Sequence, residues 1–543
     1  MIILLVSTEI IAQKIELKLF SIHQEENIFL SKVDFKNKHS DSISIYNEIA
    51  KISKYLKLNG YFLNTLDSIV KNDKQHTAYF SLNEKLDTIV LSKTNLPKVI
   101  LDQIFYHKKK LTIPISKLEA TLNEISDVLE KEGSSFSKVA LKNFTIDKKT
   151  LFADIVILKS KKRNINKVIV KGYKDFPNAF IKNYFNINNE TTFNRTKLKE
   201  ISALSKGLDF ASEIKPPETL FTKDSTFIYM YLKKEKINSF DGLINFTTQD
   251  SGKLLFTGYL DLKLKNLFKT GESLNLLWNS IGNERQELKL STKLPYLFNT
   301  KVSSEINFSI YKQDSTFLNT KLNSKIQYQI KNNSNLFLSF VSENSEELEN
   351  TTTNNIDTFS SIFIGLGYQY KLLKNDFFNN NKFFLEINPS FGKRKNSNAS
   401  FNQIKLESTI SYLFDLNSRN TIFTRNKTGL LSSENYIDNE LFRIGGNNSI
   451  RGFNEQSIFV KNYVLQNIEY RYKTSSKSFL YSITDLALVS TSKQEEKLFA
   501  LGIGYLFNTN NSQINITTSV GTSSKTSLNF NNIQFFVNWV NYF

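Results

Sequence analysis

The sequence predicts two regions of different architecture: a series of small α+β repeats, then an all-β barrel of sixteen antiparallel transmembrane strands. Three observations carry this. Helical periodicity alternates with short strands up to about residue 236 and then stops. From residue 237 to the C-terminus, apolar and polar residues alternate in long runs. No run of 18 apolar residues occurs in the 543-residue chain, which excludes transmembrane helices but not transmembrane strands.

The chain begins MIILLVSTEIIAQ. This apolar start reads as the tail of a signal peptide cleaved after Ala12, leaving residues 1–13 as its remnant, although Glu9 interrupts the run. Three repeating units follow. Residues 14–86 carry a helical pattern with Ile45, Ile49, Ile52 and Leu56 on one face, ended by Gly60, then strands near 61–70 and 76–85. Residues 87–162 repeat the order. Leu118, Leu122, Ile125 and Leu129 share a helix face, Gly133 stops it, and FSKVALKNFTI and LFADIVILK are strands. Residues 163–236 run from the strand INKVIVKGY through a helix near 194–204 to STFIYMYLKK. Arrays of such units usually bind partners along their length. The competing reading is one irregular α/β domain.

Residues 237–543 change grammar. In LLFTGYLDLKLK, Phe256, Gly258, Leu260, Leu262 and Leu264 oppose Thr257, Tyr259, Asp261, Lys263 and Lys265. VSSEINFSIY and FFLEINPSF alternate in the same way. A soluble sandwich and a membrane barrel both produce alternation. Sandwich strands, however, are usually about 5–6 residues long, whereas these run to about 9–12, the length a tilted strand needs to cross an outer membrane. Charges lie along the whole polar face, which suits a wet lumen. Closure also removes exposed strand edges. An even strand number returns the C-terminus to the side of the N-terminal units, so the loops near 346–357 and 395–401 are expected on the opposite side.

Composition narrows the function. There is no cysteine, so disulfide frameworks and thiolate chemistry are excluded. The net charge is +18, but lysine is scattered and forms no stripe, so no nucleic-acid partner is expected. Attraction to an anionic membrane surface fits that charge. His23, His39, His76 and His107 are not at metal-ligand spacing. GLGYQY and GIGYLF lie inside alternating strands and do not open helices, so they are not phosphate loops. No catalytic constellation is visible, and neither a metal, a cofactor nor an enzymatic activity is expected.

One loop is unusual. LFRIGGNNSIRGFNEQ, residues 441–456, follows about the eleventh strand. Its Arg451 stands among Gly445, Gly446, Ser449, Ile450, Gly452 and Phe453. Loop arginines are usually solvated. Here the glycines permit sharp turns and close approach to a wall, and a guanidinium can fix a carboxylate through two parallel bonds.

The N-terminal modules, the sixteen-strand barrel and this Gly-Gly…Ser-Ile-Arg-Gly-Phe signature together resemble the POTRA-plus-barrel superfamily of outer-membrane insertases and two-partner secretion translocators. The resemblance covers residues 14–543. It implies that the loop folds back into the barrel and that its arginine meets an acidic residue on the inner wall. In SITDLALV, Asp485 takes that acidic position, while Ala487 stands where the family usually has glycine. Glu469, inward-facing by alternation in LQNIEYRY, is a second candidate partner on the residues alone.

The resemblance implies a protein of the Gram-negative outer membrane with its N-terminal modules in the periplasm. It would insert or translocate unfolded outer-membrane or secreted clients, in contact with outer-membrane lipid and with accessory periplasmic or lipoprotein subunits. Alternatives are a secretion pore for one exported protein and a passive porin. About three modules and no plug helix favour the insertase. Closure must pair SFDGLINFTT with IQFFVNWVNYF. Asp241 and Gly242 are poor strand formers, so this seam, marked by Leu243 and Val537, is expected to be the weakest junction in the wall.

Overall fold

The computed structural model describes residues 15–543 except 73, 94–95, 107–109, 249–253, 282–284, 349–354, 375–377, 379–380, 398 and 493. The expected signal remnant, residues 1–13, and His107 lie outside the described residues. The chain divides into two compact units, Met1–Asn164 with Thr192–Lys197, and Ile165–Thr191 with Leu198–Phe543.

The first unit holds two modules of one design. In the first, strands Ile15–Phe20 and Gln75–Ser81 run parallel at the centre of a four-stranded sheet, edged by Lys38–His39 and Thr65–Lys71. Asp41 caps the helix Ser42–Leu58 by accepting the Ser44 N–H at 2.7 Å. Ile45, Ile49, Ile52 and Leu56 pack on Leu17, Ala78 and Phe80, so the face that predicted the helix is the face it buries. The second module orders its strands Lys110–Pro114, Thr88–Lys93, Thr150–Leu158, Lys138–Asp147. Its helix Leu118–Lys131 buries Leu118, Ile125 and Leu129 against Ile89, Leu91 and Ile155, with Leu122 at the margin. The short helices Gln24–Leu30 and Lys98–Gln103 complete the two modules.

A third sheet, ordered Ala211–Phe221, Thr226–Lys234, Lys167–Lys171, lies in the second unit with the barrel. Phe180, on its helix Asn178–Asn183, is wedged between two barrel turns. It meets Tyr296 edge to face with ring centres 4.9 Å apart, and Phe210 at 5.1 Å. Gly271 makes room, because a Cβ there would strike the Phe180 ring. Tyr173 bonds to Asn266, and the Asn183 carbonyl accepts from Gln329 at 3.3 Å. With the Asn183 Nδ2 bond to Asn299 Oδ1 at 3.3 Å, these contacts fix the third module to the turns at 266–272 and 295–301 and to the end of the sixth strand.

Sixteen antiparallel strands close the barrel. The first is Ser239–Thr248 and the last Gln534–Tyr542. Leu336, Leu338, Phe340, Ile362, Ile364 and Leu366 are 40–59% exposed, whereas the alternate residues Phe337, Ser339, Val341 and Glu343 are buried. An apolar belt on the outside and charges within invert a soluble sandwich and fit a barrel in lipid. Inside, Lys321 pairs with Glu343 at 3.1 Å and Lys325 with Glu386 at 2.7 Å. Strands reach 16 residues, beyond the expected 9–12, because ends such as the GKRKN of Asn381–Asn396 run past the apolar belt.

The first and last strands share only two paired positions, Ser239 with Tyr542 and Phe240 with Asn541. One further backbone bond runs from the Phe543 N–H to the Asn238 carbonyl at 2.9 Å. The last strand pairs with its other neighbour, Ser512–Ser523, from Asn541 through Gln534. Leu243 and Val537, which pair with Tyr259 and Ile516 on their other sides, lie beyond these two seam positions. Continuing the seam register would place Leu243 opposite Asn538.

Candidate functional site

The loop of interest joins the eleventh strand, Asn420–Ser433, to the twelfth, Asn462–Ser475. It is a built element. A 3-10 turn, Asp438–Glu440, leads into a small hairpin in which Phe442–Ile444 pairs with Ile458–Val460. The hairpin carries the segment 445–457 onto the inner wall. Ile450 is fully buried in an apolar cluster with Leu465, Ala487, Val489, Leu498 and Ala500, and Phe453 packs at its edge. Ala487, where glycine was expected, is thus part of the surface that receives Ile450. Gly452 has φ +78, and a Cβ on it would lie 2.5 Å from the Gly521 backbone nitrogen. Only glycine lets the loop come that close to the wall.

This approach delivers Arg451 to two carboxylates. Its Nε donates to Asp485 Oδ2 at 2.8 Å, and its Nη2 to Asp485 Oδ1 at 2.6 Å. Its own backbone N–H adds a bond to Oδ2 at 2.9 Å. Its Nη1 donates to Glu469 Oε1 at 2.6 Å. Asp485 is fully buried on the thirteenth strand, Ser478–Ser490, and Glu469 nearly so on the twelfth. This is the paired fork that makes arginine non-interchangeable with lysine. Gly445 and Gly446, φ +112 and +89, lie at the end of the hairpin, and Ser449 turns its carbonyl to Asn467 Nδ2 at 3.0 Å.

Sequence reasoning did not single out a second ring of partners. Arg471 donates to Glu469 Oε2 at 2.9 and 2.7 Å. Arg425 donates to Asn467 Oδ1 at 3.0 Å, and Lys427 to the Asn448 carbonyl at 2.8 Å. All lie on inward-facing positions of the eleventh and twelfth strands, so alternation marks the face but not the partner. The site therefore gathers three guanidinium groups around two carboxylates, with each carboxylate oxygen bonded. Such an arrangement suits holding a loop in place, because all four carboxylate oxygens are already engaged by Arg451 and Arg471. Among the described residues, no group of His, Asp and Glu is placed to bind a metal.

Comparison with known proteins bears on the same region, because the match to a known family runs through the barrel and this loop. Residues 266–489 match the model of the Omp85 superfamily domain. In three dimensions the chain resembles CdiB from Escherichia coli, with 12% identity, a TM-score of 0.53, and 92% of this chain and 97% of that one covered. CdiB from Acinetobacter baumannii gives 14% identity, a TM-score of 0.51, and coverage of 92% and 98%. BamA from Haemophilus ducreyi lacking POTRA domains 1–3 superposes with a TM-score of 0.46 at 15% identity, covering 83% of this chain and 99% of that one. No curated protein matches in sequence. These likenesses agree on the fold, a closed sixteen-strand barrel preceded by small α/β modules.

Proposed function

We propose that this chain assembles β-barrel clients into the outer membrane, or passes secreted clients through it, and that the Arg451 loop holds the barrel in its working state. The observation that supports this most is the joint occurrence of two features in one Omp85-type wall. The loop tip is held by buried ion pairs to Asp485 and Glu469. The strand pairing that closes the barrel is two positions long. A seam this short opens at lower cost than any full ladder, and an opened edge offers unpaired N–H and C=O groups to an incoming strand. Client segments would arrive along the modules by strand addition to their sheet edges, such as Thr65–Lys71 and Lys138–Asp147. Folding of the client supplies the free energy, so the reading requires no cofactor or catalytic step.

Photocross-linking from the two module edges in cells tests this. Recovery of several different outer-membrane proteins supports assembly. Recovery of one large secreted protein supports the secretion pore. Recovery of no client at either edge would overturn the reading.

A further inference from the structure

The root of the same loop is held a second time, far from Arg451. Arg394 ends the ninth strand, Asn381–Asn396, and is completely buried despite its charge. Its Nη1 donates to Glu440, in the 3-10 turn where the loop begins. The Glu440 side chain is 5% exposed and also accepts from Gln403 Nε2 at 2.8 Å and from the Ile437 N–H at 3.1 Å. The Arg394 guanidinium lies over Phe401, 4.8 Å from the ring centre. Next to Glu440, Asn439 is 2% exposed and donates to Ser345 Oγ at 2.7 Å and to the Asp357 carbonyl at 2.8 Å. Its own carbonyl accepts from Asn319 at 2.8 Å. The Asp438 N–H meets the Asn355 carbonyl at 2.7 Å.

These partners lie on the sixth, seventh, ninth and tenth strands and on the loop at 355–358, at the barrel end opposite the turns at 266–272 and 295–301 that hold the third sheet. The tip clamp, by contrast, uses the twelfth and thirteenth strands. A buried charge is retained where it is paired. Arg394 meets Glu440 through Nη1, while its Nε and Nη2 have no hydrogen-bond partner among the described residues, so the Glu440 contact and the bonds of Asn439 fix where the loop root sits.

We infer that Arg394, Glu440 and Asn439 form a second clamp, which positions the loop root against the wall independently of Arg451 and closes the outer end of the lumen. Arg451 sets where the tip rests; Glu440 sets whether the outer mouth is covered. Releasing the tip leaves the mouth covered, and releasing the root uncovers it.

The full chain in liposomes provides the test, by osmotic swelling in a neutral disaccharide. A neutral solute reports opening rather than a change of local charge, and no client is needed, so the outcome is separate from the assembly reading. Glu440→Gln removes the charge that Arg394 faces. It is expected to raise the swelling rate several-fold, while Arg451→Ala stays near the unaltered chain. Asn439→Ala, which disturbs no charge, should give a smaller rise and serves if Glu440→Gln does not fold, as judged by heat-modifiable migration. The inference is overturned if the folded variants at 439 and 440 swell no faster than the unaltered chain, or if Arg451→Ala swells as fast as they do.

Discussion

Arg451→Ala is the most informative single substitution. It removes three side-chain bonds of 2.6–2.8 Å, two to Asp485 and one to Glu469. The carboxylates fare differently. Glu469 keeps Arg471 at 2.7 Å. Asp485, fully buried, keeps only the backbone N–H of residue 451, and that bond depends on the loop staying in place. Breaking a buried pair by removing one partner costs about 3–5 kcal/mol. The surviving bonds put this case near the lower end, about 3 kcal/mol. That shifts the balance between released and held loop by roughly a hundredfold. The barrel ladder itself is untouched, so heat-modifiable migration should be unchanged while protease cuts the loop faster and client assembly falls. Arg451→Lys should fail as well, because an ammonium cannot span both Asp485 oxygens and Glu469. Asp485→Asn should resemble Arg451→Ala, and the double variant should add little, since both remove one interaction. The reasoning is refuted if Arg451→Ala equals the unaltered chain in both loop cleavage and assembly.

Three further outcomes follow from the geometry. Gly452→Val places a branched side chain at φ +78 against the Gly521 backbone. It should release the loop tip as Arg451→Ala does, and wild-type protease resistance would contradict this. Phe180→Ala empties the wedge between Gly271 and Tyr296. Loss of a buried Phe costs about 3–5 kcal/mol, so proteolysis within residues 165–236 should quicken with the barrel intact; an unchanged rate would refute the wedge. Protease added to intact cells should cut the loops near 346–357 and 395–401 and spare residues 15–236, and cleavage of those modules in sealed cells would contradict the topology.

The parts of the fold that were legible share one property: a local period that burial enforces. Ser42–Leu58 and Leu118–Lys131 could be read because their apolar residues recur at helical spacing. The helices Gln24–Leu30, Lys98–Gln103 and Asn178–Asn183 are six or seven residues long, too short for a period to emerge. Alternation gave the inward face of Glu469, whereas Asp485 as the acidic position came from the family resemblance. Register was beyond reach, since alternation assigns a residue to a face but not to a partner. Leu243 and Val537 therefore marked the right strands, while the seam ladder falls at Phe240 and Asn541. The Arg394–Glu440 clamp was illegible for the same reason. Its residues are 46 positions apart and meet only once the ninth to eleventh strands and the loop have taken their places.

The central claim is that the seam opens to admit client strands, and a cross-link tests it most directly. The chain has no cysteine, so Phe240→Cys with Asn541→Cys introduces the only pair. These positions are directly paired across the seam, within the Cα separation of about 7 Å that a disulfide allows. The account predicts that the oxidised barrel migrates as a folded barrel and assembles no client, and that reductant restores assembly. A cross-linked barrel that assembles clients at the unlocked rate would contradict it.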